Sequence, residues 1–194
     1  MSLAENVATR FTDRHVQASL GDKRALDYGS KHYSYHDLAA LVNRAGNLLK
    51  SFGVTPGATV LVMMPPSPAY IATLIGALKI GATVALAQPD AAPALAVVHA
   101  DHLAKVRGLP PQKVLVAGEA PEGHPSFLNA MREQASSLAA EAVRRDAPAL
   151  LLSGGSVSHA DLDALLDATG KDERLGALGD ILRALAAART AELS

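Results

Sequence analysis

Four short apolar runs, separated by stretches with helix signals, set the narrowest limits on the fold of this chain. Each run has the length of a strand and lies close to glycine or proline: Thr59–Met64, Thr83–Ala87, Lys113–Ala117 and Ala149–Leu152. Continuous apolar runs of this kind, with helical segments between them, are typical of parallel strands that are buried on both faces. The sequence therefore predicts an α/β fold with an open, mainly parallel sheet flanked by helices.

Start and stop signals indicate where several helices begin and end. Serine three residues before aspartate, at Ser34 and again at Ser158, is the pattern of a capping box that begins a helix. Ser67 followed by proline begins another helix, which is predicted to end before Gly81. Gly29 lies between two short strand-like segments and predicts the turn of a β-hairpin.

The remaining segments are predicted to be largely helical. A helix is expected over Ala92–Lys105, a polar and helical stretch over the whole of Pro125–Arg145, and a last amphipathic helix over Asp172–Leu193. Beyond Ser153 the pattern is helical only. We therefore divide the chain into an α/β subdomain at residues 1–157 and a helical C-terminal extension of the same domain at residues 158–194.

Charge and composition exclude several classes of protein. The 194 residues carry 18 basic and 19 acidic side chains, a net charge of −1, which argues against a charge-driven nucleic-acid binder. The absence of cysteine excludes disulfides, thiolate metal ligands and a cysteine nucleophile. No apolar run is long enough for a membrane span, and no signal peptide is seen at the start, so we expect a cytoplasmic protein. Aromatic residues make up only 4%, so the core contains few large side chains and buries little area per residue. We therefore expect a homodimer or another protein partner to complete the core.

The segment at residues 53–70, GVTPGATVLVMMPPSPAY, resembles a stretch found in acyl-adenylate-forming (AMP-binding) ligases. The likeness continues in GALKIGA at residues 76–82 and, upstream, in GDK, YSY and LVNRA, which begin at residues 21, 33 and 41. These motifs fit the benzoate-CoA ligase branch of acyl-CoA synthetases best, and together they span about Asn6–Gln88. The resemblance implies the N-terminal subdomain of this superfamily as the fold and ATP-dependent carboxylate activation as the activity.

Residues 151–162, LLSGGSVSHADL, occupy the place of the family's phosphate loop, which reads SSGTTGxPKG and is followed by a histidine-led helix. The flanks are retained, but the loop is shorter and lacks its lysine. No counterpart of the family's ribose-binding aspartate or of its C-terminal domain with the catalytic lysine is found. The resemblance implies ATP or AMP with Mg²⁺ as ligands, whereas the eroded loop predicts no firmly bound cofactor and no catalytic residue.

The candidate site residues each have two interpretations. Ser153, Gly154, Gly155 and Ser156 form either a plain turn between secondary-structure elements or a vestigial phosphate or nucleotide site. His159 matches the histidine after the family's loop, or it simply packs in the first turn of a helix. His99 and His102 could share a helix face as metal ligands, but no third ligand is evident, so a surface helix without metal is favoured.

Three functions follow as hypotheses. The first is a truncated, ligase-derived protein that is not catalytic alone and acts as a binding or accessory module. The second is one component of a split aryl- or acyl-CoA ligase that another chain completes. The third is an assembly module whose apolar face meets a second copy or is covered by the last helix.

Overall fold

The computed structural model describes residues 3–168 and 173–193, which form three sheets and six α-helices. The strands are β1 (Leu3–Ala4), β2 (Arg24–Tyr28), β3 (Lys31–Ser34), β4 (Thr59–Met63), β5 (Thr83–Ala85), β6 (Leu95–His99), β7 (Val114–Ala117), β8 (Val143–Arg144), β9 (Pro148–Leu152), β10 (Gly155–Ser158) and β11 (Ala191–Leu193). The α-helices are α1 (Asp13–Gln17), α2 (Tyr35–Ser51), α3 (Pro68–Lys79), α4 (Phe127–Arg132), α5 (His159–Asp167) and α6 (Gly176–Ala186), and short 3₁₀ helices cover Val7–Phe11, Ala100–Lys105 and Pro111–Lys113.

The central sheet has six strands in the order β10-β9-β5-β4-β6-β7. The five strands from β9 to β7 are parallel, and β10 pairs antiparallel to β9 at the edge. The prediction of an open, mainly parallel α/β sheet is therefore confirmed. Because β5 lies on one side of β4 and β6 on the other, the strand order reverses direction at β4 and β6.

Helices α2 and α3 cover one face of the central sheet. Helix α3 is buried along almost its whole length, which explains why its sequence is apolar on every side. The two helices approach closely at Gly46 and Gly76, and a side chain at Gly76 would stand 2.8 Å from the backbone nitrogen of Gly46. Glycine is therefore required by the packing distance between the helices rather than by backbone torsion.

The opposite face of the sheet is covered by irregular structure. Its buried side chains include Leu61, Val98 and Val116, and they pack under Leu103 and Val106 from the segment that follows β6. Among the described residues, only three large hydrophobic side chains are exposed, namely Leu20, Tyr28 and Leu128. Within that same part of the chain, no helix combines the length and the apolar character that crossing a membrane requires.

Several local predictions are confirmed. Gly29, at φ +57°, turns the hairpin between β2 and β3. Ser34 and Ser158 cap α2 and α5, and in each capping box the serine hydroxyl accepts from the backbone N–H three residues later while the aspartate there accepts from the serine N–H. Ser67 caps α3, which ends before Gly81.

The helix predicted over Ala92–Lys105 is wrong. Residues Leu95–His99 form β6, which pairs with β4 on one side and β7 on the other. A helix there would leave both neighbouring strands with unpaired backbone groups in the middle of the sheet, so strand pairing overrides the local helical pattern. Only Ala100–Lys105 keeps a helical form, as a 3₁₀ turn.

The prediction that everything after Ser153 is helical is also wrong. Gly155–Ser158 is β10, and Ala191–Leu193 is β11, which pairs parallel to β2. Helix α6 is shorter than predicted, and the predicted start at Asp172 lies outside the described residues. Within Pro125–Arg145, the described α-helix is limited to α4.

The C-terminal extension packs against the N-terminal part of the chain. Arg10 forms ion pairs with Asp163 and Asp167 of α5 at 2.7 and 2.5 Å. The Tyr35 hydroxyl lies 3.1 Å from the carbonyl oxygens of Leu185, in α6, and of Arg189, just after it, and its proton can be donated to either. These contacts join the two segments, while the boundary after residue 157 stays a prediction.

Candidate functional site

The predicted phosphate segment is the turn of a tight β-hairpin. Leu152 of β9 pairs with Gly155 of β10, so only Ser153 and Gly154 lie between the two strands. All residues from Ser153 to Ser156 are exposed. The turn stands at the carboxyl end of β9 and encloses no space of its own.

His159 lies at the other end of β10 from the turn, on the side of the sheet where the parallel strands begin. The four residues of β10 carry the chain about 13 Å away from the turn before α5 begins. His159 is buried, its Nδ1 has no hydrogen-bond partner among the described residues, and burial holds its pKa below the ordinary value. It lines a cavity of about 360 Å³ with Thr59 and Thr83, at the amino ends of β4 and β5. The structure therefore does not bring His159 together with the turn.

The turn does not fit a triphosphate. A side chain added at Gly154 or Gly155 would meet no atom within 4 Å, so these glycines border open solvent rather than a phosphate-sized cradle. No hydrogen bond or ion pair among the described residues connects a cationic side chain to Ser153 or Ser156. The N-terminus of α5, which could attract an anion, lies at the far end of β10 and is already capped by Ser158 and Asp161.

His99 and His102 do not share a helix face. His99 is the last residue of β6, and its ring accepts from the Asp101 N–H at the start of the 3₁₀ turn that contains His102. Across residues 3–168 and 173–193, no group of three or more histidine and acidic side chains is arranged to hold a metal ion.

A crevice of about 970 Å³ opens over the carboxyl ends of β4, β6 and β7. We refer to it as the switch-point crevice, because it begins where the strand order reverses direction. Its floor is formed by Met64, His99 and Ala117, which end or follow these strands. Its walls come from the β2–β3 hairpin, from α2 and the start of α3, and from α4. In open α/β sheets, ligands bind outside the carboxyl ends of the strands at such a point.

Sequence reasoning missed this crevice. The available signal was that Met64 and Ala117 lie at the carboxyl ends of apolar strands, together with the strand order. The local pattern of Leu95–His99 predicts a helix, and without β6 the reversal of strand order at β4 is not visible. The hairpin was predicted, but nothing local shows that it folds over the sheet edge.

A smaller cavity of about 290 Å³ lies at the same edge, on the other side of Met64. It is lined by Tyr70, His102 and Lys105 among others. Burial raises the pKa of Tyr70 to about 12, and the Nδ1 atom of His102 has no described partner. The phenol therefore stays protonated at neutral pH and acts as a hydrogen-bond donor or acceptor.

The chain is therefore an α/β protein with an open, mainly parallel sheet and a crevice at its switch point. The sequence model of the family described as AMP-binding enzyme matches residues 13–107 of this chain. The predicted kinship with adenylate-forming ligases is confirmed.

Curated relatives match about 80 residues of this chain. The 3-hydroxybenzoate–CoA ligase of Aromatoleum sp. (strain CIB) is 38% identical over 79 residues, which are 41% of this chain and 15% of the relative. The acetyl-coenzyme A synthetase of Bacillus subtilis (strain 168) is 37% identical over 82 residues, 40% of this chain and 14% of the relative. The matched part thus spans about one seventh of the length of these proteins.

Solved structures confirm the fold over the whole chain. The anthranilate CoA ligase AuaEII, crystallised with anthranoyl-AMP, superposes with a TM-score of 0.85 at 21% identity and covers 100% of this chain and 46% of its own. The benzoate CoA ligase of Burkholderia xenovorans LB400 gives 0.78 at 20% identity and covers 98% and 45%. The chain therefore has the fold of the N-terminal subdomain of adenylate-forming ligases and spans less than half of either ligase.

Proposed function

We propose that this protein is a ligase-derived binding or accessory module that does not adenylate carboxylates by itself. The observation that carries the proposal is the two-residue turn at Ser153 and Gly154, which stands where the resemblance puts the family's phosphate loop.

The physical argument concerns the charge of the triphosphate. Transfer of a nucleotidyl group needs preorganised donors and cations around the phosphate oxygens, and loss of one such donor costs about 3–4 kcal/mol of transition-state stabilisation. A two-residue turn aims few backbone N–H groups at one point, and Ser153–Ser156 contains no cation. Several of these interactions are missing together, so we expect the barrier to lie beyond the range of measurable turnover.

A pyrophosphate-release assay tests this proposal. The purified chain is incubated with ATP, Mg²⁺ and benzoate, 3-hydroxybenzoate or acetate, and the Bacillus subtilis acetyl-coenzyme A synthetase serves as the positive control with acetate. We expect no release above the rate without enzyme, and no heat of ATP·Mg²⁺ binding in isothermal titration. Carboxylate-dependent release by the chain alone would refute the proposal.

The second candidate is one component of a split ligase that another chain completes. It is favoured by one observation, namely that the whole chain superposes on 46% of AuaEII, so the fold of this portion is fully retained. It predicts a partner that supplies the cationic groups which the turn lacks. If no partner co-purifies from native cells, and mixing with candidate chains restores no pyrophosphate release, this candidate is rejected.

We also propose a cytoplasmic protein that forms a homodimer, as the composition suggests. Light scattering at increasing protein concentration tests the oligomeric state, and a monomeric mass throughout would contradict it.

A further inference from the structure

We propose that the switch-point crevice binds an amphipathic organic anion, that is, a small molecule with an apolar body and one negatively charged head group. This deepens the proposed function, because it gives the binding module a site and a class of ligand. It needs neither ATP nor the turn at Ser153.

The walls of the crevice suit an apolar body. Met64, Pro68 and Met131 are buried side chains that border it, and Leu41 adds half-buried apolar surface. A volume of about 970 Å³ lies at the upper end of the range for sites that bury most of a small ligand. Methionine is unbranched and flexible, so Met64 and Met131 can adapt to more than one apolar shape.

Exposed apolar side chains concentrate at the same place. Of the three exposed large hydrophobic residues in the described part of the chain, Tyr28 at 41% and Leu128 at 37% both line the crevice. The third, Leu20, is 38% exposed and lies elsewhere. Exposure of large apolar side chains is unfavourable in water, and its occurrence on two sides of one concave site is the pattern of a ligand-binding surface.

The charge around the crevice selects an anion. Lys31, Arg44 and Arg132 line it, and none of the described lining residues is aspartate or glutamate. Arg44 donates to the Arg132 carbonyl at 2.5 Å, whereas the side chains of Lys31 and Arg132 have no described partner. His99 also lines it, and its Nδ1 atom lies 3.1 Å from the exposed Asp101 carboxylate. Cations without lining acids attract a negative head group and disfavour a positive one.

The geometry favours a small molecule over a protein segment. Among the described lining residues, Tyr28 and Leu128 are the two large hydrophobic side chains that are exposed, whereas Met64, Pro68 and Met131 are buried. A stable protein interface buries about 800 Å² on each partner, which requires a wider apolar surface than these two side chains provide. The crevice also lies two to four strands from β9, about 10–19 Å across the sheet from the turn at Ser153.

Decyl sulfate is the probe that tests the proposal, because it joins a ten-carbon chain to a permanent negative charge. It is titrated into the full chain by calorimetry below the concentration at which it self-associates. Decyltrimethylammonium has the same tail with the opposite charge, and we expect it to bind at least tenfold more weakly. Decyl phosphate and decanoate are titrated in parallel to identify the preferred anionic head group.

Exposed side chains provide variants that keep the fold. Lys31→Gln and Arg132→Gln are each expected to weaken decyl sulfate binding about fivefold, the effect of removing one partly solvated charge contact. Leu128→Gln is expected to weaken it about tenfold through lost apolar contact. Lys23→Gln and Leu20→Gln are the matched controls outside the crevice, and we expect them to leave affinity unchanged.

Three results would overturn the proposal. They are no binding of any of the three anions, equal affinity for the anionic and cationic detergents, and equal losses in the crevice and control variants. The last result would indicate general surfactant binding. The outcome is separable from that of the proposed function, because pyrophosphate release reports on adenylation and decyl sulfate binding does not.

Discussion

Lys79 is a lysine buried in the core beside Asp13. Substitutions of either residue test whether the buried charge depends on its partner. The Lys79 side chain is 1% exposed at the end of α3, and its Nζ donates to Asp13 Oδ1 at 2.6 Å and to Asn43 Oδ1 at 2.8 Å. An ammonium group in this position is stable only while both partners remain. Asp13→Asn keeps the shape of the site but removes the neutralising charge.

The expected loss can be given a magnitude. Breaking a buried ion pair costs about 3–5 kcal/mol, and because the Asp13 side chain is 26% exposed we expect about 3 kcal/mol, at the lower end. With a urea m-value of about 2 kcal/mol/M, the unfolding midpoint falls by about 1.5 M. Adding Lys79→Met to Asp13→Asn removes the unpaired charge and is expected to recover at least about 1 kcal/mol.

Urea unfolding followed by circular dichroism measures these changes. Glu141→Gln is the control, because it breaks the exposed pair between Lys50 and Glu141 at 3.1 Å, and we expect a change of at most about 1 kcal/mol. If Asp13→Asn lowers stability no more than Glu141→Gln, or if Lys79→Met in that background lowers it further, the account of Lys79 as a buried charge that depends on its partner is wrong.

Two further predictions concern His159 and the contact between α2 and α3. Burial holds the pKa of His159 below its ordinary 6.5, so at mildly acidic pH the unfolded chain binds a proton that the folded chain does not. Stability is therefore lost as pH falls from about 6.5 towards the folded-state pKa. In urea titrations at pH 7.5 and 5.5, the difference in unfolding free energy between the two pH values should be smaller for His159→Gln than for the unchanged protein. An equal difference in both proteins would count against this. Gly76→Ala should lower the free energy of unfolding by about 1–3 kcal/mol, and the melting temperature with it, because the added Cβ would lie 2.8 Å from the Val42 carbonyl oxygen. Gly154→Ala is the control, because open space surrounds Gly154, and it should change stability by less than about 0.5 kcal/mol. Equal effects would argue against close helix packing.

Local signals were sufficient where the chain interacts with its near neighbours in sequence. The capping boxes at Ser34 and Ser158 and the turn at Gly29 each form within a few residues, so the sequence pattern predicts them and the structure confirms them. The segment Leu95–His99 shows the limit of such signals. Its apolar residues suit a helix or a buried strand equally, and only pairing with β4 and β7 decides between them.

The candidate site residues also show the limit of local signals. The resemblance grouped Ser153–Ser156 and His159 in one site, because His159 matches the histidine that follows the family's phosphate loop a few residues further along the chain. The antiparallel direction of β10 separates them, since each residue of an extended strand moves the chain about 3.3 Å further from the turn. Proximity along the chain is therefore a poor guide when a strand lies between two residues.

The sequence by itself determined the class of fold, the boundaries of the capped helices and the kinship with adenylate-forming ligases, because these depend on periodicity and on contiguous motifs. Tertiary structure alone decided the order of the strands, the burial of Lys79 against Asp13 and the crevice over β4, β6 and β7. Each of these depends on contacts between residues that are distant in sequence, 66 positions apart for Lys79 and Asp13, and no local pattern specifies which distant partner a buried charge or a strand edge will meet.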